Sequence, residues 1–209
     1  MKKFFVTMVF ALILTAAPVF SQTICPPGYQ VGVIDKAIGN CHTVVTFCWT
    51  CGLPWTYGIH VTNINVTMAG TTCTDNEWWW NEVLPHWLGE FLITKPGCIR
   101  PCSQTDVVEA VIEYSACSKW IHHAKVNPGD PDTYTIAPCE GQAVCRRWYK
   151  YCLNLGVPEL YKEFVRKEFI GTADCPLDYL PYPPVVPPSV PDPNGYWETG
   201  CFSTNRCED

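Results

Sequence analysis

Residues 42–49 read His-Thr-Val-Val-Thr-Phe-Cys-Trp, a run of β-branched and aromatic side chains that favours a β-strand. The Gly-Leu-Pro at 52–54 ends the run with a turn signal, and a second strand is predicted over 57–67, where apolar and polar residues alternate. Another apolar stretch, at 31–34, precedes a Gly-Asn turn. The sequence therefore predicts a β-hairpin or small meander over residues 22–70.

An amphipathic helix is predicted over about residues 75–92. Thr74 and Glu77 fit a capping box, in which each side chain bonds a backbone N–H at the start of the helix. Pro85 lies inside the helical pattern and has no N–H to donate, so we expect a kink there or two short helices that meet. The apolar face follows helical spacing and consists of Trp80, Val83, Leu84, Trp87, Leu88 and Phe91.

Short strands are predicted again in the second half of the chain. Clusters of β-branched and aromatic residues indicate strands at 134–136 and 144–153. Residues 107–114 fit a strand or a helix, and their Val-Val and Val-Ile pairs favour the strand. Residues 160–170 fit either a helix or an edge strand, and a hairpin with the preceding strand is the preferred interpretation.

The predicted fold class is β-rich α+β, with small disulfide-stapled antiparallel sheets, one kinked amphipathic helix and a proline-rich C-terminal tail. Seven prolines between residues 181 and 193 favour an extended linker that does not join the interior of a sheet. The predicted organisation has four parts: a signal peptide at 1–21, a β-hairpin module plus helix at 22–97, a cysteine-rich β module at 98–179, and a Pro-rich linker with a short cysteine-containing tail at 180–209.

The first residues predict export from the cytoplasm. Two lysines precede an apolar run from Phe4 to Ala17, which is typical of a cleavable signal peptide and too short to cross about 30 Å of hydrocarbon comfortably. The small residue Ser21 fits the cleavage pattern, so we expect cleavage after it. The expected location is periplasmic, cell-surface or extracellular, with no membrane span after cleavage.

The cysteines predict a disulfide framework. An even number of cysteines behind a signal peptide is typical of structural disulfides, here up to seven, and their pairing has too many solutions to be predicted from spacing. The fourteen are Cys25, Cys41, Cys48, Cys51, Cys73, Cys98, Cys102, Cys117, Cys139, Cys145, Cys152, Cys175, Cys201 and Cys207.

Cys48 and Cys51 form a Cys-x-x-Cys pair, the arrangement of thiol–disulfide oxidoreductases. In those enzymes a helix begins at the pair, whereas here Gly-Leu-Pro follows it and breaks regular structure. Structural bonding of each cysteine to a separate partner is therefore the preferred interpretation, and a redox pair is the alternative.

Trp78 and Trp79 are candidate ligand-stacking aromatics, because indole rings stack on sugar rings. They belong to a Trp-Trp-Trp run at 78–80, of which helical spacing directs at least two side chains into the core and leaves Trp78 outermost. No hydrolase, phosphate-loop or metal-site motif is present in the sequence, so no catalytic residue, metal ligand or cofactor is predicted.

The sequence favours a secreted, non-enzymatic protein with a structural, adhesive or binding role. The net charge of −6 and the absence of Lys/Arg blocks argue against nucleic acid as a partner. The partner classes left open are a second copy of the chain, another surface protein or a glycan. The alternatives are an extracytoplasmic enzyme (an oxidoreductase or a hydrolase) and a carbohydrate-binding module that uses exposed tryptophans.

Overall fold

A computed structural model describes residues 24–52, 58–70, 73, 76–103, 108–123, 125, 127, 129–141, 143–157, 159–180, 182–184, 195–204 and 207. The predicted signal peptide, the predicted cap residue Thr74 and most of the predicted proline linker lie outside these residues. Within them the chain forms ten strands: β1 (Gln30–Ile38), β2 (Cys41–Cys51), β3 (Ile59–Ala69), β4 (Val108–Ser115), β5 (Cys117–His123), β6 (Thr133–Pro138), β7 (Val144–Asn154), β8 (Glu159–Ile170), β9 (Trp197–Glu198) and β10 (Phe202–Ser203).

All ten strands belong to one hydrogen-bonded sheet that divides at β3. Strands β1, β2 and β3 form an antiparallel meander, which confirms the strand-rich prediction for this region. On its other edge β3 pairs in parallel with β4 and, further along, antiparallel with β6. One branch continues as β4–β7–β8 and the other as β6–β5, to which β9 and β10 add. The sheet thus contains strands from both sides of residue 97.

The strand predictions hold for β4, β6 and β7, and residues 160–170 form β8, which pairs with β7 as a hairpin. Strand β5 was not predicted, because Cys117–His123 has little regular alternation of apolar and polar residues. Strands β9 and β10 were also missed, since two residues each are too few to carry a pattern. Both are set by pairing with β5 rather than by local sequence.

One helical region follows β3, as a π-helical segment (Trp79–Val83) and then α1 (Leu84–Ile93). Asn76 caps it: its Oδ1 accepts a hydrogen bond from the Trp79 N–H at 2.8 Å. The regular helix therefore begins later than the predicted residue 75. The expected kink at Pro85 stays a prediction. No helix among the described residues is long and apolar enough to span a membrane.

The helical region buries its apolar face on the sheet, as its spacing predicts. Trp80, Leu84, Trp87 and Leu88 are buried, and Val83 and Phe91 are half-buried. The core is unusually aromatic: ring pairs in edge-to-face geometry, such as Phe47 with Phe91 and Trp80 with Tyr114, connect the sheet to the helix.

All fourteen cysteines are paired, and the predicted disulfide framework is confirmed. The bridges are Cys25–Cys48, Cys41–Cys73, Cys51–Cys98, Cys102–Cys152, Cys117–Cys175, Cys139–Cys201 and Cys145–Cys207. The second and third connect the two ends of β2 to residues before and after the helix. Seven disulfides are typical of an extracellular, disulfide-stabilised protein.

Candidate ligand cleft

The division of the sheet leaves part of one strand edge open. Pairing of β3 with β4 covers Ile59–Val61, and pairing with β6 begins at Val66. Among the described strands, none pairs with residues 62–65 on that edge, and the other edge of β3 pairs with β2. The two branches diverge here and leave a cleft whose floor is the middle of β3.

A bulge in β3 shapes this floor. Thr46 of β2 pairs with Asn65 and Cys48 pairs with Thr62, so two residues of β3 lie opposite one of β2. One of the two is Asn63, whose φ of 51° is in the left-handed region that asparagine tolerates better than most residues. Its Nδ2 donates to the Ile24 carbonyl at 3.3 Å, and Asn65 Nδ2 donates to the Asn63 carbonyl at 3.2 Å.

The cleft has a volume of about 550 Å³. This falls within the roughly 300–1,000 Å³ of pockets that take small molecules, although such pockets usually have a more apolar lining. The cleft is lined by amides, hydroxyls, three carboxylates and one ammonium group, with a few aliphatic side chains among them. The polar lining residues are Thr62, Asn63, Asn65, Glu113, Ser115, Lys119, Glu140, Tyr196 and Glu198.

Glu113 of β4 is the lining carboxylate that the protein holds most firmly. His60 Nε2 lies 3.3 Å from its Oε2, and Arg146 Nε donates to its Oε1 at 2.5 Å. Tyr29 hydrogen-bonds the other ring nitrogen of His60. Since a carboxylate only accepts, His60 donates to Glu113 from Nε2, and its Nδ1 is the atom hydrogen-bonded to the Tyr29 hydroxyl.

This network keeps Glu113 ionised. Burial by itself raises the pKa of the Glu113 carboxyl, but the hydrogen bond and charge of His60, followed by those of Arg146, outweigh burial and lower the pKa to about 2. The pKa of the Tyr29 hydroxyl is raised, chiefly by burial and then by the charge of Glu113. At neutral pH the cleft therefore presents a carboxylate that accepts hydrogen bonds and does not exchange protons.

The opposite wall carries a second compensated carboxylate. Lys119 of β5 donates to Glu198 of β9 at 2.8 Å, and the Tyr196 hydroxyl donates to the same oxygen at 3.2 Å. Strand β9 reaches this position because the chain returns after the proline-rich segment and pairs with β5. The C-terminal segment, predicted only as a short tail, thus supplies part of the cleft wall.

The sequence-predicted candidates lie elsewhere. Cys48 bonds Cys25 and Cys51 bonds Cys98, so the structure gives the two members of the candidate redox pair separate partners. Trp79 is buried with 5% of its surface exposed, and Trp78 is 62% exposed. Neither tryptophan lines the cleft. Among the described residues, no group of three or more histidine, cysteine, aspartate or glutamate side chains is arranged to hold a metal ion.

Glu113 of the cleft and the residues that hold it carry no signal that sequence reasoning can use. Tyr29, His60, Glu113 and Arg146 are separated by about thirty to fifty residues from one to the next, and no motif joins them. Strand pairing brings them together: His60 lies beside Val111, two residues before Glu113, and Glu113 is directly opposite Arg146.

Comparison with known proteins found no matching family model, no matching curated protein and no matching solved structure.

Proposed function

We propose that this chain is a secreted, non-enzymatic binding protein and that its ligand occupies the cleft at the division of the sheet. The observation that carries the proposal is the polar cleft of about 550 Å³, whose two walls come from separate branches of one sheet. The disulfide framework supports a location outside the cytoplasm, where such bonds persist.

The state of Glu113 favours binding over acid–base catalysis. A general acid or base works best with a pKa near the working pH, whereas the pKa of Glu113 is about 2. Its two oxygens are also held by His60 and Arg146, as expected of a group whose orientation matters more than its proton. These features describe a preorganised hydrogen-bond acceptor.

A substitution that fills the cleft tests the proposal. Ile121 of β5 lines the cleft and is half-buried, so Ile121→Trp places an indole in the ligand space. Its matched control is Val33→Trp, because Val33 is a 53% exposed strand residue outside the cleft. The oxidised full chain is screened against glycans, peptides and charged small molecules, and thermal unfolding shows that both variants are folded.

We expect the ligand found in this screen to bind the wild type and Val33→Trp equally and to be lost with Ile121→Trp. Binding that Ile121→Trp leaves unchanged places the ligand elsewhere and refutes the proposed cleft. A second candidate surface is Trp78, since its exposed indole is suited to stacking on a sugar. Loss of binding in Trp78→Ala, with Ile121→Trp unaffected, would favour that surface.

A further inference from the structure

We infer that the ligand of the cleft is a neutral saccharide; this inference rests on the proposed function. Most of the charged groups that line the cleft are paired within the protein. Glu113 is paired with Arg146 and His60 on one wall, and Glu198 is paired with Lys119 on the other. Because the protein neutralises two of the three lining carboxylates itself, and the third, Glu140, is exposed to solvent that screens its charge, the cleft offers little net attraction to a strongly charged ligand.

The direction of the hydrogen bonds at the cleft indicates what the ligand must supply. Several donors at the cleft are directed at protein acceptors: Asn63 Nδ2 at Ile24, Asn65 Nδ2 at Asn63, and Lys119 Nζ at Glu198. Carboxylate and amide oxygens are acceptors with room for more than one hydrogen bond. The complementary ligand is therefore rich in donors and uncharged, which describes a compound with many hydroxyl groups.

The lining of the cleft also has an apolar part. Ile64 and Ile121 lie among the polar groups, and Tyr196 adds an aromatic ring that is 39% exposed. A sugar ring has hydroxyl groups at its edge and C–H groups on its faces, so it matches a lining of acceptors interrupted by aliphatic and aromatic surface. A polyamine also has donors and aliphatic surface but is strongly charged, and an acidic metabolite offers acceptors where the cleft needs donors.

The test measures binding of the oxidised full chain to an array of neutral and charged glycans, followed by calorimetry with the best neutral oligosaccharide. Glu198→Gln replaces an acceptor oxygen by an amide and is expected to weaken binding about tenfold, the usual effect of one lost hydrogen bond to a charged group. Tyr196→Ala removes the ring and is expected to weaken binding as well, whereas Tyr196→Phe keeps the ring and most of the affinity. Val33→Trp and Trp78→Ala are controls that should bind as the wild type does.

Salt separates a neutral ligand from a charged one. Affinity for a neutral saccharide should stay constant between about 0.05 and 0.5 M salt, since screening weakens only charge–charge attraction. If Ile121→Trp abolishes binding of a ligand that is charged, salt-sensitive or peptidic, the inference is overturned. The proposed function then still stands. A neutral saccharide whose binding Ile121→Trp does not affect refutes the proposed function instead. If the wild type binds no neutral glycan at all, the inference is overturned.

Discussion

Glu113 shows how one residue links stability to the cleft. Its carboxylate is fixed by His60 from β3 and Arg146 from β7, and Tyr29 from the segment before β1 fixes His60. Folding lowers the pKa of Glu113 from 4.5 to about 2. Between these values the folded state binds fewer protons than the unfolded state, so stability present above pH 4.5 is lost as the pH falls toward 2.

The first prediction concerns this pH dependence. Between pH 7 and pH 3 the wild type should lose about 2 kcal/mol of unfolding free energy through protonation of Glu113. The Glu113→Gln variant should not show this loss. Denaturant unfolding at the two pH values measures it, as the difference in pH dependence between wild type and variant. Glu109→Gln is the matched control, because Glu109 is on the same strand as Glu113 and lies opposite Lys150 of β7. Equal pH dependence in wild type and Glu113→Gln would contradict the network.

Gly32 is required by the ring beside it. It pairs with Phe47 across β1 and β2, and a methyl group at Gly32 would overlap the Phe47 ring. Phe47 is fully buried and packs edge-to-face on Phe91, so the ring has no room to withdraw.

The second prediction is that Gly32→Ala lowers the free energy of unfolding by about 1–3 kcal/mol, the usual cost of an overfilled core. Gly129→Ala provides the control, since no atom lies within 4 Å of the added carbon there and its φ is not in the left-handed region. Chemical denaturation measures both variants. If Gly32→Ala is as stable as the wild type, β1 and β2 can move apart at this position without a cost in free energy.

Three tyrosines hold the helical region on the sheet. The hydroxyl of Tyr114 donates to the Trp80 carbonyl at 3.2 Å, that of Tyr149 to Asn81 at 3.4 Å, and that of Tyr151 to Pro85 at 2.6 Å. All three side chains are buried, so the hydroxyls need these acceptors. The hydrogen bonds orient the helix on β4 and β7.

Two of these bonds compensate for Pro85. In an α-helix the N–H of residue 85 would pair with the carbonyl of Asn81, and in a π-helix with that of Trp80. Proline has no N–H, and the N–H of Leu84 pairs with Trp79 instead. The carbonyls of Trp80 and Asn81 accept from the hydroxyls of Tyr114 and Tyr149, so the sheet supplies donors at the point where the proline removes one.

The third prediction is a coupling between Pro85 and Tyr114. Tyr114→Phe should lower the free energy of unfolding by about 1–2 kcal/mol in the wild type, because it leaves a buried carbonyl without its donor. In the Pro85→Ala background the cost should fall by at least about 0.5 kcal/mol, since the helix gains an N–H. A double-mutant cycle by chemical denaturation measures the coupling.

Tyr151→Phe is the control for that cycle, because Tyr151 donates to the carbonyl of residue 85, which proline and alanine both possess. Its cost should be the same in both backgrounds. Additive effects of Tyr114→Phe and Pro85→Ala would mean that Tyr114 does not compensate for the proline.

At the scale of the whole molecule, two disulfides attach the C-terminal segment to the sheet. Cys139–Cys201 and Cys145–Cys207 each join residues 62 apart and hold the returning C-terminal segment on the sheet. The segment is also hydrogen-bonded: Thr199 N–H donates to Trp120 O, and Thr204 N–H donates to Ala116 O, both at 2.9 Å. Since this segment includes Tyr196 and Glu198, its attachment completes the cleft.

The fourth prediction tests that attachment. Replacing Cys139 and Cys201 together by serine should cost about 4 kcal/mol of stability by the loop-entropy relation and should increase amide hydrogen exchange across residues 195–204. The Cys25–Cys48 bridge joins residues 23 apart and so closes a shorter loop. The same replacement there should cost about 3 kcal/mol and should leave that exchange unchanged. Unchanged exchange in the first variant would show that the segment does not depend on the bridge.

Local patterns in the sequence were enough for the elements that depend on neighbouring residues. The β-branched run at 42–49 forms the centre of β2, and the helical spacing from Trp80 to Phe91 gives the buried face of the helix. The even cysteine count correctly predicts a complete disulfide framework. These inferences succeed because strand propensity, helical periodicity and thiol oxidation depend on residue type and short spacing.

Only the tertiary structure decides the rest. The pairing of cysteines 23 to 62 residues apart, the division of the sheet at β3 and the return of the C-terminal segment to β5 all depend on contacts between distant parts of the chain. The cleft is a consequence of these contacts, since Glu113, Asn65 and Glu198 come from β4, β3 and β9. Sequence alone predicted an exported, strand-rich, disulfide-bonded protein, and long-range pairing created the site where we propose it binds its ligand.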